Sequence, residues 1–120
     1  MLLKQSRQDI LNHVVTFIRT QGRPSINSEG TCLYGKPDGQ RCAVGCLLGD
    51  HVVTEGVSAR TICERFGVND YVFFSRLQEA HDSAAGDKNA RWRETFDRYI
   101  EECSRLYGLT VPNTPWRAPC

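Results

Sequence analysis

Residues 91–108 read RWRETFDRYIEECSRLYG, and they decide the fold class. Trp92, Phe96, Tyr99, Ile100, Cys103, Leu106 and Tyr107 recur at three- and four-residue steps, which places them on one face of an α-helix, and Gly108 offers a stop. The pattern predicts a helix beginning near Asp87, and its wide apolar stripe makes it the central packing element. The arginines between those positions, Arg91, Arg93, Arg98 and Arg105, alternate with Glu94, Asp97, Glu101 and Glu102. Such mixed signs predict a solvated, salt-bridged face rather than a stripe for nucleic acid.

Working outward, the same logic finds three more helices. Ser6 caps a helix with Asp9 in a capping-box-like start; Ile10, Leu11, Val14, Val15 and Ile18 form its stripe, and Gly22 with Pro24 ends it. Ser58 caps a short helix carrying Ile62, Cys63 and Phe66, closed by Gly67. Asn69 or Asp70 caps a longer one, with Phe73, Phe74, Leu77, Ala80, His81 and Ala84 facing inward and Gly86 at its end. Between the first two, Cys32-Leu33-Tyr34 and Gln40-Arg41-Cys42 flank Gly35-Lys36-Pro37-Asp38-Gly39, which predicts a short β-hairpin near residues 32–42. Ala43 to Gly49 reads as a buried helical turn. The expectation is a mostly α, single-domain fold of about four to five helices with a hairpin insertion over residues 1–111, and an extended Pro-rich tail over 112–120.

Composition narrows the function classes. Apolar residues make up 40% of the chain and charged ones 24%, which is ordinary globular usage. Fifteen Lys and Arg against fourteen Asp and Glu leave a formal charge of +1, so no global field gathers nucleic acid or anionic lipid. The start MLLKQSRQDI carries no signal-peptide pattern, and no run is apolar enough for a membrane span. These features point to the reducing cytoplasm, where Cys32, Cys42, Cys46, Cys63, Cys103 and Cys120 stay as thiols.

Three blocks, Cys32-Leu33-Tyr34, Asp38 to Gly45 and Leu77-Gln78-Glu79-Ala80-His81-Asp82, follow a C-x-Y, D-G-x-x-C-A-x-G and L-Q-x-x-H-D layout. In this the chain resembles small uncharacterised proteins encoded by bacteriophages and their bacterial hosts, over about residues 10–108. The resemblance implies phage or prophage origin without a mechanism. With small size and near-neutral charge, it leads to the expectation of a non-catalytic accessory protein in the cytoplasm of a host bacterial cell. It would bind a host protein or complex, inhibit a host defence system, and need no cofactor. Tyr34, Lys36, Asp38 and Arg41 around the hairpin are the candidate contact residues, because exposed aromatic and Arg side chains dominate interface energetics.

Two alternatives carry chemistry. Cys42 as nucleophile, with His81 as base and Asp82 behind it, writes a thiol-dependent enzyme. Cys32, Cys42, Cys46 and His51 supply the donor types of a tetrahedral zinc site, although the spacing lacks the usual knuckle. In the tail, Trp116 between Pro115 and Pro119 is expected to pack on its own domain, against the last helix near Tyr99, Cys103 or Tyr107.

Overall fold

A computed structural model describes residues 4–23, 42–47, 58–85 and 91–117. Among these, the chain forms α1 (Arg7–Gln21), a 3-10 turn (Gly45–Leu47), α2 (Ala59–Arg65), α3 (Tyr71–Ala85) and α4 (Trp92–Tyr107).

At several helix ends, local chemistry satisfies the free backbone groups. Ser6 is extended, and its hydroxyl accepts from the Asp9 amide at 3.1 Å. Ser58 does the same for Thr61 at 3.1 Å. Caps of this kind contribute about 1 kcal/mol each. Asp70 stands at the start of α3, where its carbonyl accepts from the Phe74 amide. Its carboxylate goes to Arg7 of α1, in a two-pronged pair at 2.8 Å for each contact. Gly108, left-handed at φ 66, ends α4 as Leu109 donates back to the Ser104 carbonyl.

Helix α3 packs on both α2 and α4. Phe73 near the start of α3 meets Tyr107 at the end of α4, ring centroids 5.0 Å apart, so these two helices run antiparallel. The core between the elements is built from Leu11, Ile18, Leu47, Ile62, Phe73, Phe74, Leu77, Phe96 and Ile100, all fully buried. Each contributes roughly 1.5–3 kcal/mol of hydrophobic stabilisation. The turn at 45–47 belongs to this core and rests on α1.

Several expectations change. The helix expected to start near Asp87 starts at Trp92: Arg91 lies outside helical geometry at φ −100, ψ 25, and its carbonyl accepts the first helical bond, from Thr95. Trp92 is the first large apolar side chain in that stretch, and it packs against the core. Leu106 is 63% exposed instead of buried. The buried arc of α4 is rotated toward Ser104, whose hydroxyl donates to the Ile100 carbonyl at 2.9 Å and so tolerates burial. No strand occurs among the described residues, and the hairpin expected near 32–42 lies outside them apart from Cys42. Cys42 itself starts a helical turn, its carbonyl accepting from the Cys46 amide at 3.0 Å.

The tail docks, as Trp116 led us to expect, but not at Tyr99, Cys103 or Tyr107. It runs without helix from Leu109 to Arg117 and delivers Trp116 edge-on to Trp92 and Phe96, at 5.2 and 5.7 Å. The reason is reach. An extended proline-rich chain advances about 3.1 Å per residue against about 1.5 Å in a helix, so the stretch from Gly108 to Trp116 travels back past roughly sixteen residues of α4.

Candidate functional site

Two of the three sequence blocks quoted above meet in space, through Val44 and Gln78. The Val44 amide, in the turn after Cys42, donates to Gln78 Oε1 on α3 at 3.0 Å. Gln78 Nε2 in turn donates to Asp82 Oδ1 at 2.8 Å, one helical turn further on. His81 Nδ1 sits 2.9 Å from the same oxygen. An ionised carboxylate only accepts, so Nδ1 carries a proton and donates it to Asp82. On the other side of the turn, His13 Nε2 donates to the Cys46 carbonyl at 3.1 Å. The turn is thus gripped from α1 and from α3 through its own main chain.

Chemically, a carboxylate that orients an imidazole is the rear half of a nucleophilic triad. Its front half is not assembled here. Cys42 is fully buried, and among the described residues no hydrogen bond joins its thiol to His81. His81 is itself buried, while Asp82 lies at the surface. The arrangement holds a buried turn in place.

The remaining thiols behave as core. Cys46 Sγ donates to the Ala43 carbonyl at 3.1 Å within the turn. Burial pushes the Cys63 thiol up to about 11, with the charge of Asp70 adding to it. Burial likewise raises Cys103, against the opposing influence of Arg76 and Arg7. All four described cysteines are buried, with no disulfide among them. Of the zinc alternative, Cys42 and Cys46 share the turn, whereas Cys32 and His51 lie outside the described residues. Among those residues no group of three or more His, Cys, Asp or Glu is placed to hold a metal. Tyr34, Lys36, Asp38 and Arg41 lie outside them as well.

A second polar centre, which the sequence reading does not single out, cradles the tail. Arg19 at the end of α1 pairs with Asp97 of α4 at 3.0 Å. Asp97 Oδ2 receives the Trp116 indole N–H at 2.9 Å. Arg19 and Arg93 place their guanidinium groups over the indole, 5.8 and 5.1 Å from its centre. Arg93 and Asp97 therefore leave the solvated face assigned to them and become the walls of an indole site. The available signal was their spacing, which puts both beside Trp92 and Phe96.

No helix among the described residues is long and apolar enough to cross a membrane. The chain matches no family model, no curated protein and no solved structure.

Proposed function

We propose that this chain is a non-catalytic accessory protein of phage or prophage type that binds a protein or complex in the host cytoplasm and thereby blunts a host defence. One observation carries the reading: the described thiols and the His81 ring are spent inside the fold, on core packing and on fastening the Cys42 turn. What such a molecule offers is a shaped surface. The phage-type layout adds the setting, and Tyr34, Lys36, Asp38 and Arg41 remain the first contact candidates. The test is capture from host lysate at physiological salt with the wild-type chain and with a Tyr34→Ala/Arg41→Ala variant. A stoichiometric partner that the variant loses supports the reading, and no partner for the wild type sinks it.

The orientation of His81 by Asp82, on the helix that grips the Cys42 turn, favours one second reading: a thiol-dependent enzyme with Cys42 as nucleophile and His81 as base. An activated thiol alkylates with iodoacetamide at pH 6, where an ordinary cysteine is protonated. Labelling of Cys42 no faster than that of Cys120 removes this reading.

A further inference from the structure

We propose that the cleft between α1 and α4 is a docking groove for an extended Pro-Trp segment of a partner protein, and that residues 109–117 are its resident occupant. This deepens the binding reading above and rests on it.

The groove reads main chain. Gln8 on α1 makes a two-way pair with Thr110, its Nε2 donating to the carbonyl at 2.7 Å and its Oε1 accepting from the amide at 3.0 Å. Three turns on, Arg19 Nη1 donates to the carbonyls of Pro112 and Thr114, at 3.1 and 2.8 Å. The Arg19 carbonyl then accepts from the Arg117 amide at 2.9 Å. From α4, Arg93 Nη1 donates to the Arg117 carbonyl at 3.0 Å. Contacts of this kind recognise an extended backbone without reading most of its side chains. Proline suits such a ligand, because it presets the extended conformation and brings no N–H needing a partner.

Specificity sits at one end. The indole of Trp116 fills a pocket walled by Trp92 and Phe96, capped by Arg19 and Arg93, and floored by Asp97. Tryptophan brings both a large ring and an N–H donor for that carboxylate, which phenylalanine lacks. Four of the residues in this frame belong to α4 and one to α1, and the Arg19–Asp97 pair joins the two helices directly. The site is part of the folded frame, so a chain of the same chemistry from another protein meets the same partners. Tethering gives the resident tail an effective concentration near the millimolar range. A short free peptide is thereby excluded from the wild-type groove, and a partner enters by adding contacts elsewhere on the surface.

The experiment uses the full chain carrying Trp116→Ala, with its fold checked by far-ultraviolet circular dichroism, and a fluorescein-labelled peptide of residues 109–117. Anisotropy should show saturable binding at least ten-fold tighter than to the wild-type chain. It should also be at least ten-fold tighter than for the peptide with Phe in place of Trp, since that substitution removes the bond to Asp97. Should Trp116→Ala not fold, Trp116→Phe keeps a ring in the pocket and yields its place to the Trp peptide by the same criterion. Equal binding to wild type and variant, indifference to Trp in the peptide, or no binding at millimolar protein overturns the proposal. A tail-exchanged dimer of the wild type in size-exclusion chromatography reassigns the groove to a second copy and overturns it too. Failure here with host-partner capture intact removes the groove and leaves the binding reading standing.

Discussion

The turn at Cys42–Leu47 and the tail at Leu109–Arg117 are both irregular segments fastened by side chains from two helices, yet they are fastened in opposite ways. The turn is sealed: all six of its residues are buried, and the Val44 amide depends on Gln78 for a partner. The tail lies at the surface, with bonds to Gln8, Arg19 and Arg93 that water can replace. A lost bond in the first region strands a buried donor, at a cost of about 1–3 kcal/mol, whereas in the second it costs the net worth of an exposed bond, about 1 kcal/mol or less. The first segment is thus a fixed part of the core and the second a latch.

The sharpest challenge to this contrast is Gln78→Ala. It should destabilise the whole fold by about 3 kcal/mol, since it orphans the Val44 amide and leaves a small void, and a urea titration should show the loss equally in helicity and in core packing. A loss under 1 kcal/mol would mean that the turn is not held as described. Next in size is Trp116→Ala, at about 2 kcal/mol for a half-buried indole with a carboxylate bond. Its signature should be local, with hydrogen exchange accelerating at the Thr110 and Arg117 amides and hardly at Val44. Uniform acceleration would merge latch and core.

Gly22→Ala should cost about 1–2 kcal/mol. The position is left-handed at φ 78, and a Cβ there would stand 3.1 Å from Arg117 Cβ, so the strain falls on the tail crossing. Thermal melts of Gly22→Ala, alone and combined with Trp116→Ala, should show that part of the cost vanishes once the tail is free; strict additivity would deny the contact.

The last effect is confined to alkaline solution, a pH dependence of the core. The Cys63 thiol is raised by burial to about 11 in the folded chain, from 9.0 for a free thiol. Between those values the unfolded chain ionises first, so stability is complete below pH 9 and declines as pH rises toward 11. Cys63→Ala should flatten urea midpoints across that window, and an unchanged slope would assign the decline to other groups.

Helix ends and stripes were legible because their causes are local: Ser6, Ser58, Gly22 and Gly108 act within one turn. The docking of Trp116 was legible in kind, from a large apolar ring among prolines, while its register required comparing the advance of an extended chain with that of the helix beneath it. Gln78, Arg93 and Asp97 were not legible. A polar residue on a helix looks the same whether it meets water or a distant main chain, and the arrival of residue 44 or 116 is what separates the cases. Leu106 erred for a related reason, since a periodic stripe does not say where its edges fall until the neighbouring helices are in place.

The chain has two tryptophans, Trp92 and Trp116, and they touch each other, ring centroids 5.2 Å apart at 81°. Its tryptophan emission therefore originates at the latch. A fluorescence-monitored denaturation curve will register the undocking of the last nine described residues, and it will do so at lower denaturant than circular dichroism registers loss of the helices. The gap between the two curves measures in one experiment how much of the molecule's cohesion the tail shares.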